Sequence, residues 1–188
     1  MILSTYNPLK TIAILLSAWA IVSCVGCKSY QLGHPAELPF KTVYIQPVKN
    51  DSFVPQAQAL ISSQIREAVI RDGRVTLVAD KKSADALLVV TLSDYTRRGG
   101  ARRQNDTTLS RDFNLTLEAA VDLYDQKNGS FLFEGRKLTA RSNAYLDNPY
   151  NAAAAPKTQG FVQSEYNAMP RIARDLGRKV ADELLSAW

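Results

Sequence analysis

From Phe113 to Tyr124 the chain alternates with a strict period of two. Phe113, Leu115, Leu117, Ala119, Val121 and Leu123 are apolar. Asn114, Thr116, Glu118, Ala120, Asp122 and Tyr124 fall between them. Side chains of a strand point alternately to its two faces, so this pattern predicts a strand with one buried and one solvated face. Asn128-Gly129 follows within the turn Asp125–Gly129, a strong hairpin signal. The return strand is Ser130–Tyr145, with Phe131 and Phe133 on one side.

Upstream, Lys41–Val48 is rich in strand formers, with Pro47 near its end. Val75–Ala79 is a short strand and Ala86–Arg97 a long one. Leu87-Leu88-Val89-Val90 is apolar on both faces, which predicts cover on both sides there. Gln56–Asp72 reads as a helix, because Ala57, Leu60, Ile61, Ile65, Ala68 and Val69 recur mostly at spacings of three and four. Gly73 stops it. Gly160–Trp188 is a second helix, kinked or started afresh around Pro170, with Ile172, Leu176, Val180 and Leu184 on one stripe. This order predicts an α+β single domain: a mixed, mostly antiparallel sheet of four to five strands with two helices packed on one face.

The N-terminus reads differently. Lys10 precedes thirteen largely apolar residues, Thr11–Ser23, and then comes Cys24. A positive start, a short apolar core and a small residue at its exit form an export signal. The run is short of the about 20 residues that a membrane-spanning helix needs. Ile21-Val22-Ser23-Cys24 resembles a bacterial lipobox, which implies cleavage before Cys24 and a diacylglyceryl group on its thiol. Cys27, after Gly26, is the alternative site. The expected organisation is a signal peptide (1–23), a lipidated tether (24–39) and one domain (40–188). Removing the signal leaves 165 residues, enough for a real core. It takes one lysine from the chain's formal charge of +5, leaving +4. That modest basic excess favours an anionic partner, and export disfavours nucleic acid. Beyond Cys27 there is no cysteine, so the domain stands on packing alone.

Catalytic signals are missing from the sequence. His34, in the tether, is the one histidine, which leaves a Ser-His-Asp triad without a credible base and zinc without its usual ligands. No phosphate-cradling glycine motif is present. The expectation is a non-enzyme without metal or cofactor. The dense charged feature is arginine: Arg97, Arg98, Arg102, Arg103 and Arg111, five within fifteen residues, where one strand ends and the next begins. Arginine forks match phosphate oxygens in a bidentate way. Arg136, Lys137 and Arg141 lie on the following strand. A solvated loop and a blunted sheet edge is the plain alternative.

In layout the mature chain resembles the LptE family of lipopolysaccharide-assembly lipoproteins. The resemblance is carried by Cys27-Lys28-Ser29-Tyr30-Gln31-Leu32-Gly33, by Leu38-Pro39 before a strand, by Ser83-Ala84-Asp85-Ala86 opening another, by Phe131-Leu132-Phe133-Glu134-Gly135, and by the last helix. It implies an outer-membrane lipoprotein, held by its lipid, that helps assemble and plug the LptD-type β-barrel and contacts lipopolysaccharide. Arg97, Arg98, Arg102, Arg103, Arg111 and Arg136 are the implied lipopolysaccharide contacts, matched by location and charge. The competing expectation is another periplasmic lipoprotein, an activator of a cell-wall synthase or an auxiliary subunit of a lipid transporter.

Overall fold

The computed structural model describes residues 38–54, 56–100, 112–146 and 160–186. The elements run β1 (Thr42–Ile45), β2 (Lys49–Asn50), α1 (Ala57–Asp72), β3 (Thr76–Leu77), β4 (Ala86–Gly99), β5 (Asp112–Asp125), β6 (Ser130–Tyr145) and α2 (Phe161–Leu185). They form one sheet in the order β3-β1-β4-β5-β6, with β2 also paired to β4. β1, β2 and β3 run parallel to their partners, while β4-β5-β6 is an antiparallel meander. The expected α+β class and mixed, mostly antiparallel sheet are present. The sheet has six strands rather than four to five. Pro47 has no N–H to donate; β1 ends before it at Ile45, and β2 begins only at Lys49, beyond the Lys41–Val48 run.

The alternation along β5 does what its period requires. Leu115, Leu117, Ala119, Val121 and Leu123 are all inaccessible to solvent, and the residues between them are not. They share the core with Ile61, Ile65 and Val69 of α1 and with Ile172, Leu176, Val180 and Leu184 of α2. Both helices therefore lie on one face of the sheet. The buried core runs from Phe40 to Leu185, so a chain beginning at residue 28 keeps all of it.

Gly73 closes α1 in the left-handed region (φ 78°), and its N–H returns to the carbonyl of Val69. A side chain there would be strained, hence glycine. The two helices run side by side and approach closely at Gly177. A Cβ on that residue would stand 2.9 Å from the backbone of Gln64. Pro170 lies inside α2 without ending it. Met169 and Ile172, on either side, are both buried, so packing holds the two halves in one helix.

Strand β6 is a sheet edge, and α2 covers part of it. Lys179 Nζ donates to the carbonyl of Thr139 at 2.6 Å and Arg171 Nη2 to that of Asn143 at 2.9 Å. Ser164 Oγ donates to the carbonyl of Tyr145. These bonds occupy edge acceptors that would otherwise template a foreign strand.

Candidate functional site

The arginine-bearing corner is organised by a bulge in β4. Leu92 pairs with Ala119 and Asp94 with Glu118, which leaves Ser93 as an extra residue. A one-residue insertion moves every later side chain to the other face. Before the bulge, Ala86, Leu88, Val90 and Leu92 face the helices. After it, Tyr95 and Arg97 do, opposite the buried Leu117 and Leu115. Arg98 is thrown onto the open face, beside Asn114. Two consecutive arginines thus serve opposite sides of the sheet.

Arg97 is held on the helix side. Its Nε donates to Glu165 Oε1 of α2 at 2.6 Å, and Tyr95 Oη donates to the same oxygen at 2.5 Å. The Arg97 guanidinium lies over the rings of Tyr95 and Phe161, at 5.2 and 5.7 Å from their centroids. Phe161 meets Phe113 edge to face at 4.7 Å. Glu165 is only 5% exposed, whereas the Arg97 side chain remains 43% exposed. Burial pushes the Tyr95 phenol far above its usual value, and the bond to Glu165 adds to the shift. Burial would lower the Arg97 value, but the bonds and charges of Glu165 and Tyr95 together outweigh it and the net shift is upward. The cluster is a phenol, an arginine and a carboxylate locked as a neutral pair.

The open face carries a different group. Arg98, Asn114 and Asn143 form one cross-strand row, and Thr96, Thr116 and Arg141 the next. Both arginines are exposed. An acidic row, Asp94 and Glu118, then separates them from Lys137. No described element covers this face. Gly100 N–H donates to the carbonyl of Asp112 at 2.9 Å, so the last described residue after β4 and the first of β5 meet at this corner. Arg102, Arg103 and Arg111 lie outside the described residues, as do Cys24 and Cys27.

Arg136 is not at this corner. It pairs with Val121, which in turn pairs with Val90, seven residues before Arg97 along β4. That is roughly 23 Å at strand rise. It faces α2, where it forms an ion pair with Glu183 and stacks over Phe133 at 4.5 Å. Arg141, expected only to extend the patch, sits nearer the corner. Glu165, Tyr95 and Phe161 had no sequence signal as site residues, because nothing in their spacing betrays the bulge that turns Tyr95 and Arg97 toward α2.

No cluster of histidine, cysteine or carboxylate side chains among the described residues has the geometry to hold a metal. No described helix is long and apolar enough to cross a membrane. The arrangement offers exposed guanidinium groups to an anion.

Among solved structures, an uncharacterised lipoprotein B from Nitrosomonas europaea is 18% identical, with a TM-score of 0.49 over 82% of this chain and 92% of its own. A minor lipoprotein from Acinetobacter baumannii is also 18% identical, with a TM-score of 0.46 over 78% and 93%. A protein from Xanthomonas campestris shares the fold at 10% identity, with a TM-score of 0.51 over 81% and 89%. No curated protein sequence matches the chain. The model of the family LptE, lipopolysaccharide-assembly, matches residues 40–184, and the chain belongs to that family.

Proposed function

We propose that the protein is an outer-membrane lipoprotein, anchored through Cys24 or alternatively Cys27, that helps assemble and plug an LptD-type barrel and binds lipopolysaccharide on its way to the surface. One observation carries the lipid contact: the open sheet face displays Arg98 and Arg141 in adjacent rows, uncovered by any described element, beside the corner where Gly100 and Asp112 meet. Arg97 and Arg136 are secondary contacts in this reading, because each already holds a glutamate of α2. A single exposed contact is worth about 1 kcal/mol or less. Several acting on phosphates of matching spacing reach micromolar affinity, roughly −8 kcal/mol.

The test is titration of the chain from residue 28 with lipopolysaccharide. Changing Arg98 and Arg141 to Ser is expected to weaken binding and leave the melt unchanged. Raising the salt should weaken it further, since exposed charge is screened over about 8 Å at physiological ionic strength. A matched change of Arg174 and Arg178 on α2 is the control. Equal loss in both pairs would reduce the effect to bulk charge. The barrel role is tested by depletion: an unchanged level and folded migration of the barrel protein would refute it.

A further inference from the structure

The N-terminal halves of α1 and α2 stand apart, and an apolar groove of about 660 Å³ opens between them. Leu60 and Met169 line it, with Ala59 on one wall and Val162 and Tyr166 on the other. Val162 is 77% exposed and Tyr166 60% exposed, one helical turn apart, and neither is needed by the core. The size suits a small-molecule or lipid-tail site. One charged group lines the groove, Glu165, and it is neutralised by Arg97. The partly exposed guanidinium of Arg97 thus stands one hydrogen bond from the groove wall, at the same corner of the sheet as Arg98. An apolar slot whose one lining carboxylate is already paired, next to a corner that carries the exposed Arg98, is complementary to an aliphatic chain bearing an anionic head. A peptide strand or a second protein surface has no need of that pairing.

We infer that this groove receives an acyl chain of lipopolysaccharide while the phosphates of the same molecule meet the arginine corner. The inference rests on the lipopolysaccharide reading above and assigns the lipid's apolar part to the helix side of the sheet. Ala59 is exposed on the groove wall, so Ala59→Trp fills the slot without entering the core. Val162→Glu places a charge there by a second route, should the tryptophan disturb folding.

The experiment measures affinity of the chain from residue 28 for intact lipopolysaccharide and for the same material with its acyl chains removed by alkali. Both variants should bind the intact form at least tenfold more weakly than wild type and the deacylated form unchanged. Arg98→Ser with Arg141→Ser should weaken both forms. Wild-type affinity of A59W and V162E for the intact form overturns the groove and leaves the proposed function standing. Equal loss for both forms also overturns it, since the effect is then not on the acyl chain. Failure of wild type to bind either form overturns the reading beneath it.

Discussion

Arg97 and Arg98 are neighbours in sequence, alike in chemistry and opposite in consequence. Arg97→Ala strips the buried Glu165 carboxylate of its ion pair and leaves it one bond, from Tyr95. Breaking a buried pair from one side costs about 3–5 kcal/mol, because the surviving charge is stranded. Here Arg97 is partly exposed, so water already screens the pair, and the retained phenol bond offsets some of the loss. A cost of about 2–3 kcal/mol remains by the same principle. It includes the guanidinium contacts to the Tyr95 and Phe161 rings, each roughly 0.5–1 kcal/mol at partly exposed sites. For a chain of this size each kcal/mol moves Tm by about 2–4 °C, giving a fall of about 4–12 °C. Arg98→Ala removes an exposed side chain from the open face and should stay within about 0.5 kcal/mol. Thermal melts of the two variants, followed by far-UV circular dichroism, make the comparison. A cycle with Glu165→Gln should show coupling of about 0.5–3 kcal/mol. Equal melts for the two arginine variants, or a cycle with no coupling, would refute the assignment of Arg97 to the interior.

Three further outcomes are expected. Gly177→Ala should destabilise by about 1–3 kcal/mol in urea unfolding, because its Cβ meets the Gln64 backbone at 2.9 Å and the two helices must part; an unchanged midpoint would contradict the close approach. The Asp85 carboxylate receives Lys127 Nζ and the N–H groups of Lys41 and Thr42, which hold its pKa well below the ordinary carboxylate range. A depressed folded value means stability present above the unfolded pKa of about 3.9 and lost as pH falls toward the folded one. Wild type should therefore exceed Asp85→Asn in stability at pH 7, with the gap closing only well below pH 4, and a gap constant with pH would refute the linkage. Cys24→Ser should abolish incorporation of labelled fatty acid; full labelling of that variant, with loss in Cys27→Ser, would move the anchor.

What the sequence made legible was what periodicity encodes. The alternation of β5 marks its buried apolar residues from Leu115 to Leu123, though Phe113 at one end is only partly buried and Asp125 at the other is buried, and the spacing of Ile172, Leu176, Val180 and Leu184 marks the inner stripe of α2. Asn128-Gly129 marks the hairpin, and Gly129 adopts the positive φ of 67° for which glycine is suited. The site was less legible, because its geometry turns on single residues that break the period. Ser93 resets the facing of β4, so adjacent arginines separate. A second irregularity around Gly135 (φ 64°), whose N–H donates to Asp122 Oδ1 at 2.6 Å, turns Arg136 toward α2. Charge density along the chain located the corner. Which arginines face the open side of the sheet and which brace the helix was decided by bulges, which leave no mark in composition or spacing.

The two ends of the sheet differ in what they hold. Val43 of β1 is in register with Ala86, the first residue of β4, so the chain enters the domain at that end. Asp85 holds it there, bonding the N–H groups of Lys41 and Thr42. The open-face arginines and Gly99 lie in rows ten to thirteen residues farther along β4, roughly 33–43 Å away at strand rise. Tyr145, the last residue of β6, and Ser164 of α2 are hydrogen-bonded to each other at that same far end. If the proposed lipid contact is right, lipopolysaccharide meets the end of the sheet that lies farthest from Lys41 and Thr42. A photo-crosslinking residue at Thr96 is therefore expected to capture lipopolysaccharide in cells, while one at Lys82, beside the entry point, captures none. Capture at Lys82 with none at Thr96 would reverse the polarity of the domain and remove the open face from the lipid's path.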